Sequence, residues 1–93
     1  MGLKDGKIVE GGIREETIQT IANIMATLTE NGLSLANVVD ITAFLVDEAD
    51  YHAFNEIYAG SFREPYPTRT AVFVKALPLG ARVELKAIAR VEK

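Results

Sequence analysis

Two stretches of this chain alternate residue by residue between an apolar row and a mixed row, and that alternation leaves few architectures open. In VVDITAFLV (38–46), Val39, Ile41, Ala43 and Leu45 make one wholly apolar row. Val38, Asp40, Thr42, Phe44 and Val46 make the other. In RVELKAIARV (82–91), Val83, Leu85, Ala87, Ala89 and Val91 alternate with Glu84, Lys86, Ile88 and Arg90. A period of two belongs to β-strands that turn one face towards a core.

Between the strands the period changes. From Arg14, the residues Ile18, Ile21, Ala22, Met25 and Leu28 recur at three- and four-residue steps, the spacing of one helix face. Glu15 and Glu16 fall in the first turn, where the helix dipole favours negative charge, and Asn31-Gly32 supplies a stop. A second helix after Asp47–Asp50 carries Phe54, Ile57, Tyr58 and Phe62 on one stripe. Lys7–Val9 reads as a short first strand, and TAVFVKA follows a proline-stiffened loop, Arg63–Thr68. The order is β-α-β-α-β-β in one domain, residues 1–93, because a chain of 93 residues leaves no room for two. That order describes an α+β layer with both helices on one sheet face.

Two helices cannot cover both sides of such a sheet. The mixed row, with Val38, Phe44, Ile88 and Phe73 among Asp40, Glu84, Lys86 and Arg90, therefore lies open. An antiparallel sheet can keep one face wet. Bulky apolar residues set among charges also describe a subunit interface. The second reading is preferred, and it predicts a homo-oligomer, since so short a domain buries a modest share of its surface alone.

Composition narrows the function. The formal net charge is −3, with no run of Lys or Arg to neutralise several phosphates, so nucleic acid is not an expected partner. The apolar stretches are too short to span a bilayer, and the N-terminus lacks a signal peptide's apolar core, so no membrane association and a cytoplasmic location are expected. With no cysteine a thiolate metal site is excluded, and the single histidine, His52, in an acidic helix and without a Gly-x-Ser-x-Gly elbow, is a poor triad partner; no metal or cofactor is expected. His52 reads as an exposed helix position.

Three residues could carry chemistry. Arg69 follows Pro65 and Pro67, which restrict Glu64 and Tyr66 to extended geometry. A guanidinium fork matches a carboxylate, although a surface arginine after a turn fits the same pattern. Glu84, with apolar neighbours on both sides, suits a proton-shuttling or water-orienting carboxylate, or an ion pair with Arg82, Lys86 or Arg90. Asn55, one turn before Tyr58, could line a site or simply bond backbone at the helix–sheet contact.

Taken together, GKIVEGGIREETIQTIANI, SLANVVDITAFLVD, FNEIY, YPTRTAV and LPLGARVELKAIA resemble the reactive-intermediate deaminases, the Rid or YjgF-type family. The family was earlier labelled L-PSP endoribonucleases or translation inhibitors. The likeness is collinear from Asp5 to Val91, and its specific part is P-x-R followed by L-P-x-x-x-x-V-E. The resemblance implies a chorismate-mutase-like fold, a mixed sheet with two helices on one face, and a homotrimer with pockets between subunits. It implies hydrolysis of 2-imino or enamine acids to 2-keto acids and ammonia without metal or organic cofactor. By this likeness Arg69 would hold the substrate carboxylate, Glu84 would position water and Asn55 would support the pocket. Ala71 would offer its backbone at a position often held by cysteine. The family pattern opens with two further strands bearing a Tyr and a Ser-Gly that line the same pocket, and the present sequence starts after them, as either a truncated form or a short variant of the pattern would. Two other functions are weighed: a small-carboxylate-binding module without catalysis, and the older nuclease reading, which the acidic charge balance disfavours.

Overall fold

The computed structural model describes residues 1–91. At its centre is strand β3, Val38–Leu45, flanked by β4, Thr68–Phe73, and β5, Val83–Ala89, in the order β4-β3-β5. β3 and β4 run parallel because helix α2, Tyr51–Ser61, returns the chain to the starting end of the sheet between them. β5 runs antiparallel on the other side of β3, reached through a 3₁₀ turn at Pro78–Gly80 where Leu79 and Gly80 take positive φ (61° and 70°). The long helix α1, Ile13–Glu30, precedes this unit, and the 3₁₀ turn Leu35–Asn37 is closed by a capping box between Ser34 and Asn37.

The head of the chain adds one strand to the expected order. Lys7–Ile8 (β2) does form, and it pairs antiparallel with Leu3–Lys4 (β1) in a hairpin separate from the main sheet. The turn is Asp5-Gly6, both at positive φ (54° and 78°), the conformation that a two-residue hairpin requires. Asn23 ties the hairpin to α1 by donating to the Leu3 carbonyl at 2.8 Å. At Gly2 the approach is so close that a Cβ would lie 2.7 Å from the Glu16 carbonyl oxygen.

Both helices lie on the Ile41–Ala43–Leu45 side of the sheet. Ile41, Ala43, Leu45, Phe54 and Val83 are completely inaccessible there, and Ile21, Leu28 and Phe62 pack around them. Among the described residues the far side has no covering element: Val72 and Ile88 are exposed, and Thr42 and Phe44 are half-buried. Among the described residues no helix is long and apolar enough to cross a membrane.

Three expectations about which side a residue faces are corrected. Pairing with β5 shifts register between Val38 and Asp40, so Val38 joins the core and Val39 turns out. Phe73 pairs with Leu45 and sits 6.1 Å from the Tyr51 ring, so it belongs to the helix side and not to the open face. On α1, Ile21 and Leu28 are buried as expected, but Ile18 and Met25 are each 48% exposed. The buried row instead contains Glu16, Thr17 and Thr20. Two of these polar side chains are bonded, the Thr20 hydroxyl donating to the Glu16 carbonyl at 2.6 Å and the Glu16 carboxylate accepting from the Arg82 backbone N–H at 2.8 Å, while the Thr17 hydroxyl is buried without a partner among the described residues.

This assignment of faces is testable by chemical denaturation. Leu45→Ala removes a fully buried side chain and is expected to cost about 2–5 kcal/mol. Met25→Ala, although drawn from the apolar stripe of the sequence, is expected to change stability by no more than about 0.5 kcal/mol. A large loss at Met25 would contradict the helix orientation.

Candidate functional site

Arg69 reaches its place by register. Pro67 precedes β4 without an N–H of its own, and the Thr68 hydroxyl fastens the strand start to β3 by bonding the Asp40 carboxylate at 2.6 Å. Arg69 then pairs with Ile41, which turns its side chain to the helix side, under α2. There Nη1 donates to Asn55 Oδ1, and Nη2 donates to the Tyr51 hydroxyl at 2.9 Å. Tyr51 and Asn55 are four residues apart, so both present their polar ends from one helix face. The guanidinium carbon also lies 4.8 Å from the Tyr58 ring centroid and 5.8 Å from those of Tyr51 and Phe54.

The result is a half-buried cation held by neutral groups. Among the described residues, none of the ion pairs involves Arg69. A guanidinium carries five N–H donors, and the two side-chain bonds leave others to offer. Because it can only donate, it also fixes the Asn55 amide with oxygen inward, leaving the Nδ2 hydrogens for another acceptor. A groove of about 670 Å³ opens over this cluster, with Tyr58, Phe62, Tyr66 and Pro67 in its lining. His52, exposed as expected, is also at this groove, 2.9 Å from Glu56.

Of the residues singled out in the sequence, Arg69 and Asn55 are in contact. Ala71 lies two residues further along the same row of β4, opposite Ala43. Glu84 is not brought to them. It pairs with Phe44, whose side chain alternates with the buried row, and β5 lies on the far side of β3 from β4. Arg69 and Glu84 of one chain thus occupy opposite faces of the sheet. Tyr51 was missed as a partner of Arg69, although its place four residues before Asn55 was a usable signal.

A family model described as Endoribonuclease L-PSP matches residues 1–91. The chain belongs to this family. Among curated L-PSP relatives, a RutC family protein of Pyrococcus horikoshii is 43% identical over 86 residues, covering 92% of this chain and 68% of that protein. The human 2-iminobutanoate/2-iminopropanoate deaminase is 39% identical over 89 residues, covering 96% of this chain and 65% of that one. The chain therefore spans about two thirds of the length of the curated relatives it matches. Crystal structures of yeast Mmf1 (TM-score 0.89, 39% identity, covering 96% of this chain and 70% of that one) and of RidA from the Antarctic bacterium Psychrobacter (0.87, 36%, 92% and 69%) share its fold. The Rid relationship and the chorismate-mutase-like α+β fold read from the sequence hold.

Tyr58 offers a check on the electrostatics. Its hydroxyl is buried without a hydrogen-bond partner. Burial pushes its pKa above the ordinary 10.0, the Arg69 charge partly offsets this, and Asp40 adds to the rise. The folded state thus holds the phenolic proton more tightly than the unfolded chain does. That contribution to stability is complete below pH 10 and is lost as pH climbs through the raised value. Carbon-13 NMR of the Tyr58 ring should show titration above pH 10, moved higher still by Arg69→Ala, which removes the offsetting charge. A downward move in that variant would contradict the placement of the guanidinium.

Proposed function

We propose that this protein hydrolyses reactive 2-imino and enamine acids to 2-keto acids and ammonia, in a site shared between copies of the chain. The observation that carries the proposal is Arg69: a half-buried guanidinium, pre-aimed by Asn55 and Tyr51, without an acidic partner among the described residues. Such a group suits a ligand carboxylate with two parallel charge-assisted bonds. The names of the deaminase relatives support the choice of imino acids.

The chemistry is balanced with water alone as co-substrate. Water adds to the protonated imine carbon, the carbinolamine loses its C–N bond, and ammonia leaves, taking the hydroxyl proton with it as ammonium, as the keto oxygen forms. The imine carbon is already electrophilic, so the protein mainly supplies orientation and one proton carrier. Glu84 takes the proton from the attacking water and returns it to the departing nitrogen. Because Glu84 lies on the face opposite to Arg69, it serves the Arg69 of a second copy. Two different surfaces then meet, a heterologous contact, which closes into a ring when the rotation between copies closes and runs into an open filament otherwise. A homotrimer is the expected ring.

A second reading rests on the same geometry. A single chain holds the carboxylate clamp but not Glu84 beside it, which would suffice for a binding module without turnover. The two readings separate in one assay, with 2-iminobutanoate released by a threonine dehydratase and its decay followed. Acceleration over buffer is expected, falling roughly 10- to 100-fold with Arg69→Ala and about 100-fold or more with Glu84→Gln. Mixed oligomers of the two variants, refolded together, should recover about a quarter of the sites. Recovery of nothing, with trimers by light scattering, would remove the shared site. Binding of 2-ketobutyrate without any acceleration would establish the module instead.

A further inference from the structure

The open face of the sheet carries more than Glu84. Strand register sets Glu84 beside Phe44 and Phe44 beside Val72, one row across β5, β3 and β4. The next row, two residues along, is Lys86, Thr42 and Thr70. The first row is apolar beyond its carboxylate, and the second is polar throughout. Directly opposed side chains on neighbouring strands have Cβ atoms about 4.5–5.5 Å apart. Glu84 cannot therefore enter the site of a second copy alone. Of its neighbours along β5, Arg82 is turned to the helical layer, where it meets Asp50 at 3.3 Å. Lys86 is exposed and lies roughly 7 Å along the strand. Phe44 is the large apolar group that must travel with the carboxylate.

A carboxylate acting as base on the attacking water stands one water away from the imine carbon. A ring beside that carboxylate then faces the substrate as well. The α-carbon of a 2-imino acid bears a carboxylate, a nitrogen and a side chain. The carboxylate belongs to Arg69, and the nitrogen receives its proton from Glu84. Either would lose hydrogen bonds under an apolar ring, so the polar row suits them and the side chain is the group that matches Phe44. The ring has little freedom to yield, because β3 is paired along both edges and Glu84 and Val72 flank it. Resting on the deaminase reading, we infer that Phe44, contributed by the same copy as Glu84, determines side-chain specificity: short apolar side chains pack against the ring, and longer or branched ones collide with it.

The test uses mixed oligomers of Arg69→Ala and Glu84→Gln chains, whose working sites take Glu84 from the first chain and Arg69 from the second. Imines are released by an L-amino acid oxidase from leucine and from 2-aminobutyrate. Activities are compared as the ratio of kcat/KM for the two, in which the number of working sites cancels. Phe44→Ala added to the Arg69→Ala chain is expected to raise the leucine-to-2-aminobutyrate ratio roughly tenfold. Added to the Glu84→Gln chain, it should leave the ratio unchanged. A ratio that rises in neither mixture, rises equally in both, or falls overturns the inference and leaves the deaminase reading standing. Where light scattering shows that Phe44→Ala does not assemble, Phe44→Leu in the same two mixtures decides by the same criterion, with a rise of about threefold expected. Activity of the unsubstituted protein without recovery in the mixtures would remove the shared site and the role of Phe44 together. If the unsubstituted protein hydrolyses neither imine, the deaminase reading itself fails and this inference falls with it.

Discussion

Everything of functional interest in this fold follows from the two-sidedness of β3. Among the described residues it is the only strand of the main sheet paired along both edges, so its alternation sets the facing of residues on β4 and β5 alike. Ile41 sends Arg69 under α2, and Phe44 sends Glu84 to the open side. A slip of one residue in either pairing would reverse these assignments, and the buried row of Ile41, Ala43 and Leu45 is what forbids the slip. Core packing and site geometry are therefore one constraint seen from two sides.

That constraint explains why an arginine is tolerated in a row otherwise given to the core. Its stem occupies a slot beside Ile41, while its charge meets π-faces and two neutral oxygens instead of a carboxylate. An acidic partner would have neutralised it and made it structural. The contrast with Arg82 is instructive: that guanidinium meets Asp50 at 3.3 Å and the buried Glu16, and it fastens the start of β5 to the helical layer.

Much of this was legible in the chain. The strands, both helices and the α2 stripe could be read from periodicity and prolines, and Arg69 and Asn55, singled out in the chain, do meet in the structure. What escaped depended on distant pairing. The polar part of the buried face of α1 could not be found from hydrophobicity, because Glu16 is made compatible with the interior by an N–H contributed by Arg82, 66 residues later. The bulge that exchanges Val38 for Val39 has no local signature, since both are valines. Asp5-Gly6 did carry a turn signal, but its flanking strands are only two residues long and half polar. The separation of Glu84 from Arg69 follows from strand order, which no single segment contains.

The aromatic surroundings of Arg69 have a consequence for anyone wishing to observe the site. The chain has no tryptophan and three tyrosines, and all three belong to this region: Tyr51 bonded to the guanidinium, Tyr58 beneath it and Tyr66 at the groove. Tyrosine emission from the protein therefore originates at this cluster and its groove. The molecule comes with its own optical probe, one that reports on the surroundings of Arg69.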